Sequence, residues 1–164
     1  MQIDPQIRHV PAGEGTPLSV HHDRFRLKVD ATNTADDILI FETVVMPQTG
    51  AGLHTHPARE TFYVLAGHFD FVSVRDGKRH LTRAVVGDTV DVPSLVPHGY
   101  TNSHKTPGRL LCIFSPAQPM QAFFEEINEL LTRENPLTIG TPEYEEASRA
   151  IAQRHQLKRV ILPD

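Results

Sequence analysis

The stretch LHTHPARETFYVLAG, residues 53–67, sets two histidines two positions apart, a glutamate four positions beyond the second, and a glycine at the end of an apolar run. In a β-strand alternate side chains share a face, so His54 and His56 point one way and Thr55 the other. Two imidazole ligands of one metal need that placement. Glu60 has the same parity, and Phe62 and Val64 continue its row, although Pro57 and Ala58 interrupt the strand and make the direction of Glu60 depend on the turn. A carboxylate heading an apolar inward row is costly to bury alone and requires a cation or a hydrogen-bond donor beside it. Taken by itself, a His-x-His pair is better read as two solvated histidines at a strand end.

A second stretch, GDTVDVPSLVPHGYTN at residues 87–102, adds His98 beside a proline-bounded turn and just before another strand. Three histidines and one carboxylate are then available to one site.

The segments around these two have the same character. From residue 24 to 115 the chain is a series of short runs rich in Val, Ile, Phe, Thr and Leu: RFRLKV, ILIFETVVM, TFYVLAGHFDFVSV, HLTRAVV, DTVDV, GYTN and RLLCIFS. Turn residues such as PQTGAG, RDGK and HKTPG bound them, and Asp76-Gly77 predicts a two-residue hairpin. Many short strands joined by tight turns predict an all-β, antiparallel sandwich or barrel. Residues 1–20 carry Pro5, Pro11, Gly13, Gly15 and Pro17 and are expected to form an irregular N-terminal arm.

After SPAQP the period changes. Met120, Phe123, Phe124, Ile127, Leu130 and Leu131 recur at three and four, the stripe of an amphipathic helix, with Pro119 at its first turn. A second helix is expected from the N-cap Thr141, with Pro142 at the first helical position and Glu143, Glu145 and Glu146 near its positive end, closing between His155 and Lys158. These helices, within residues 119–158, are too poor in apolar surface for a core of their own, so the 164 residues are expected to form a single domain. The stripe of the first helix either packs as core or roofs the mouth of the barrel with Phe123 or Phe124.

Composition narrows the function classes. The 16 Lys and Arg are scattered, the formal net charge is −4, and no apolar run reaches a bilayer-spanning length, so neither nucleic acid nor membrane is an expected partner and a cytoplasmic location is the expectation. Cys112 stands alone inside LLCIF and reads as a small buried hydrophobe. His21, His22, His68, His80, His104 and His155 sit in polar or turn contexts and read as solvated rather than as ligands.

At this point the chain resembles the cupin superfamily. Its first motif, G-x5-H-x-H-x3-E-x6-G, is matched by His54, His56, Glu60 and Gly67, and its second, G-x5-P-x-G-x2-H-x3-N, by Gly87, Pro93, His98 and Asn102. Two motif glycines are replaced, by Gln48 and by Leu95; the first is expected to shift the strand entry, the second to make the mouth of the site narrower or more apolar. The resemblance implies a jelly-roll β-barrel, a homodimer, and one divalent metal ion held by His54, His56, Glu60 and His98. Three neutral imidazoles and a carboxylate suit iron, manganese, nickel, cobalt, copper or zinc, and they leave coordination positions open for substrate. A 2+ ion with one carboxylate leaves a net +1, which favours an anionic oxygen such as an enolate or phenolate.

Met46, Phe62, Phe69, Phe114 and Tyr100 are candidates for walls that accept an aromatic body, although residues of these types are more often simply core. Asn102 reads as a residue that fixes its turn. In finer detail, HTHPARETFYVLAGHFDF, CIFSP and the helical tail are similar to small single-domain bacterial cupins of the quercetin 2,4-dioxygenase type. That similarity implies an oxygenase acting with O2 on an enolisable, flavonol-like substrate, with Glu60 as both ligand and proton acceptor. A cupin that binds, isomerises or cyclises a small oxyanionic ligand without oxygen chemistry is the alternative. A metal would pull the pKa of Glu60 down and an apolar pocket would push it up.

Overall fold

Asp76 and Gly77, with φ of 52° and 71°, form the two-residue turn expected between β6 (His68–Arg75) and β7 (Lys78–Val85), which pair antiparallel residue for residue. Positive φ at both central positions matches the twist of the flanking strands. The computed structural model describes residues 7–162 and builds its two sheets from antiparallel strands of this kind.

One sheet has the order β1 (Thr16–Val20), β2 (Asp23–Val29), β3 (Leu39–Val45), β10 (Gly108–Ser115), β5 (Arg59–Ala66), β8 (Thr89–Val92). The facing sheet runs β11 (Lys158–Arg159), β4 (His54–Thr55), β9 (His98–Asn102), β6, β7. The two sheets make the all-β jelly roll expected from the sequence. Alternation builds its core: Phe25 and Leu27 on β2, Leu39, Phe41 and Val45 on β3, Phe62 and Val64 on β5, and Leu110, Cys112 and Phe114 on β10 are all buried, while their neighbours are more exposed.

Three details differ from the sequence expectations. TFYVLAGHFDFVSV is not one strand, because Gly67 at φ 81° turns the chain out of the first sheet and into the second. Residues 16–20, expected within an irregular arm, form β1 and pair with β2; Pro17 is tolerated there because β1 is an edge strand, and Leu18 and Val20 supply the inward side chains. Residues 1–6 of that arm lie outside the described residues. A short helix, α1 (Ala31–Thr34), capped by the Asp30 side chain, was also not foreseen.

The two long helices are α2 (Met120–Thr132) and α3 (Pro142–Arg154). Met120, Phe123, Phe124 and Ile127 of α2 join the buried cluster of the barrel, so the helix has no core of its own. α3 stops at Arg154, before the expected end: Gln156 takes φ 60°, and Lys158 and Arg159 leave as β11 to pair with Thr55 and His54. Thr141 caps α3 by accepting a hydrogen bond from the Tyr144 amide at 3.3 Å. Thr141→Ala is expected to cost about 1 kcal/mol, read as a lower urea midpoint with an unchanged slope. Among the described residues no helix is long and apolar enough to cross a membrane.

Candidate metal centre

Glu60 is where the sequence parity placed it, at the head of the inward row of β5 and 5% exposed. Its Oε2 lies 3.1 Å from His56 Nε2 and 3.0 Å from His98 Nε2. His54 and His98 are direct cross-strand partners between β4 and β9, which brings their rings to 4.4 Å between centroids. The four side chains each offer a ligand atom, and those atoms all lie within 4.8 Å of one another.

Backbone carbonyls orient two of the imidazoles. Nδ1–H of His54 donates to Gly52 O at 2.7 Å, and Nδ1–H of His98 donates to Val96 O at 2.8 Å, so both Nε2 atoms face the common centre. Backbone partners on the far nitrogen are how metal-binding histidines are commonly held. His56 Nδ1 is buried without a partner. This donor set and its orientation fit one divalent ion, whose identity the geometry leaves open.

The electrostatics are those of a coupled cluster. Burial pushes the His54 imidazole down to about 4, with the neighbouring His98 adding to the effect. Burial also opposes the charged form of Glu60, but hydrogen bonds from His56 and His98 outweigh it and hold the carboxyl below its ordinary value. His98 is the converse case: desolvation lowers its pKa, and the bond to Glu60 more than restores it. The upward pull of burial anticipated from the sequence is present, and the imidazole hydrogen bonds that offset it were not anticipated.

A cavity of about 370 Å³ adjoins the cluster. Its walls are Phe25, Phe41 and Phe114 from the first sheet, Phe123 and Phe124 from α2, and Tyr100 from β9. Of the two placements open for α2, the helix therefore takes both, packing as core and roofing the site. The volume and apolar lining are those of a small-molecule pocket.

Tyr100 and Phe114 line this cavity, as anticipated, whereas the other wall candidates do not. Met46 follows the last inward position of β3, so parity turns it outward to 46% exposure. Phe62 and Phe69 are sealed in the core at 1% and 0% exposure and reach no cavity surface. Leu95 is 63% exposed and absent from the cavity wall, so the expected narrowing of the mouth does not occur. Gln48 and Leu95 nevertheless hold φ of 61° and 64°, the left-handed conformation that a motif glycine adopts without strain. Asn102 has its turn-fixing role: Nδ2 donates to Val45 O and Thr106 O, and Oδ1 accepts from the His104 amide.

His21, His22 and Asp23, at the β1–β2 turn, line the cavity, and the first two are exposed there, as their sequence context implied. His21 Nδ1 also meets the Tyr144 hydroxyl at 2.7 Å, tying the turn to α3. The signal for Asp23 was present in the sequence: it shares parity with Phe25 and Leu27 and heads their inward row, as Glu60 heads that of Phe62 and Val64.

Comparison with known proteins agrees with this architecture. Residues 41–114 match the family model described as Cupin domain. Similar solved structures include an RmlC-like cupin from Shewanella frigidimarina, with TM-score 0.57 and 21% identity, covering 71% of this chain and 97% of its own. The polyketide cyclase RemF from Streptomyces resistomycificus aligns with TM-score 0.59 and 20% identity over 70% of this chain and 82% of its own. A predicted oxalate decarboxylase from Thermotoga maritima aligns with TM-score 0.57 and 20% identity over 66% of this chain and 99% of its own. At such identities the likeness is one of fold, and a single fold carries many chemistries. Among curated proteins none matches the chain in sequence.

Proposed function

We propose that this protein is a metal-dependent dioxygenase of the quercetinase type, acting on an enolisable aromatic substrate with O2. The observation that carries the proposal is the adjacency of the His54, His56, Glu60, His98 cluster to a cavity walled by phenylalanines. Such a site has a polar end for an enolate oxygen and an apolar body for fused or linked rings. A divalent redox metal, when bound, supplies positive charge for the deprotonated oxygen and a route for electrons to O2.

The residues of the chain do the rest. Phe25, Phe41 and Phe124 enclose the ring system and exclude water, which strengthens every charge interaction at the cluster. The Gly52 and Val96 carbonyls fix the imidazoles, so the open side of the cluster faces the cavity. Glu60, held as a carboxylate, offers Oε2 or Oε1 to the substrate hydroxyl proton.

The test pairs metal analysis with oxygen uptake. Protein purified without a histidine tag is expected to hold near-stoichiometric redox metal and, after reloading with iron, manganese, nickel, cobalt or copper, to consume O2 with a flavonol. Zinc as the bound metal, with no O2 uptake on any flavonol or enol, would sink the oxygenase reading and favour a cupin that binds or cyclises an oxyanion.

A further inference from the structure

Asp23 is a half-buried acidic residue on the inner face of the barrel. It shares an inward row with the buried Phe25 and Leu27, and its direct cross-strand partner is the buried Val20. Its Oδ1 is out of contact with solvent and has no hydrogen-bond partner among the described residues. A buried acceptor left unpaired costs stability, and such groups persist where function employs them. Burial raises the Asp23 carboxyl to about 6, with His22 pulling the other way.

The position of Asp23 says what it meets. It lines the same cavity as His54, His56 and Glu60, but from β2 rather than β5, with β3 and β10 between. The two carboxylates therefore reach the cavity from different parts of its wall. The wall between is apolar, formed by Phe25, Phe41 and Phe114.

We propose that Asp23 is the second polar anchor of this cavity, accepting a hydrogen bond from a hydroxyl on the part of an aromatic substrate that lies away from the metal-ligating cluster. The substrate class is thereby narrowed to polyhydroxylated aromatics: one oxygen for the cluster, an apolar middle, and a hydroxyl donor for Asp23. This rests on the aromatic-substrate reading given above and adds the residue that discriminates among such substrates.

The test uses two probes, 3-hydroxyflavone and its 3′,4′-dihydroxy derivative, titrated anaerobically into the nickel-loaded protein and followed by the shift of the flavonol absorbance band. The wild type is expected to bind the dihydroxy probe about tenfold more tightly, the equivalent of one well-placed hydrogen bond to a charged acceptor. Asp23→Ala should lose that preference while binding 3-hydroxyflavone as before, and Asp23→Asn should restore part of it. Equal affinity of the wild type for both probes, or an equal loss on both in Asp23→Ala, overturns the assignment.

A second measurement does not depend on the choice of flavonol. In the metal-loaded protein at pH 8, Asp23→Asn is expected to raise Tm, because a neutral amide replaces a desolvated charge; a lower Tm would make Asp23 a structural residue and overturn the proposal. If neither flavonol binds the wild type, the substrate reading under Proposed function fails and the Tm comparison alone decides the role of Asp23.

Discussion

His56→Ala is expected to yield protein that retains its fold, holds no metal, and has lost at least about a thousandfold of any metal-dependent turnover. Removing even a residue that only orients a ligand costs ten- to a hundredfold, so loss of the ligand itself should cost more. His56 is the most deeply buried of the three histidines, at 1% exposure, and no other described histidine adjoins the cluster to replace it. Its removal also deprives Glu60 of one of its two hydrogen-bonding imidazoles. Stability of the metal-free chain should therefore fall too, by about 2 kcal/mol for a buried carboxylate left half-satisfied. Metal per chain by mass spectrometry and urea unfolding of the metal-free forms separate the two effects. Full metal content in the variant would show that the centre is not built on these four residues.

The opening stretch, LHTHPARETFYVLAG, makes much of the site legible because strand parity is a strict constraint: it sets Glu60 on the same face as Phe62 and Val64. The same rule sets Asp23 above Phe25 and Leu27, but the apolar alternation of RFRLKV starts one residue later, and a polar residue next to two histidines has the signature of solvent exposure. Parity could not show that β4 and β9 lie side by side, so the pairing of His54 with His98 rested on the two motifs.

The wall of the cavity was harder still. Whether Phe62 or Phe124 touches a ligand depends on the packing of one helix over one end of the barrel, a long-range relation that no local pattern encodes. Nor does hydropathy separate Met46 from Val45, although one faces water and the other has no exposure at all. β11 was missed because two residues carry no periodicity; it exists because Arg159 and Lys158 find an open edge on β4.

Gly99→Val is expected to destabilise the protein by at least about 3 kcal/mol and to abolish metal binding, although Gly99 touches no ligand atom. A Cβ at Gly99 would stand 2.7 Å from Ala51 O and 3.0 Å from Gly52 C, both of them backbone atoms that cannot swing aside. The approach is closer still from the facing 48–52 segment, where a Cβ at Gly50 would lie 2.1 Å from Tyr100 O. The two segments are bound together by Tyr100 N to Ala51 O at 3.0 Å, Asn102 N to Thr49 O at 2.8 Å and Gln48 N to Asn102 O at 2.9 Å. Two residues beyond Gly52 stands His54, and immediately before Gly99 stands His98. A side chain wedged between the strands therefore has to separate the two imidazoles, and it also displaces the Gly52 carbonyl that orients His54. Gly52→Ala is the control: its Cβ would meet nothing within 4 Å, so it should cost about 0.5 kcal/mol or less and leave metal content unchanged. Urea midpoints and metal content, measured on both variants, distinguish close backbone approach from a general need for small residues in this segment. A Gly99→Val protein that stayed stable and metal-loaded would mean that β9 and the 48–52 segment can part without moving the cluster, and the cross-strand pairing of His54 with His98 would then not be what holds the centre together.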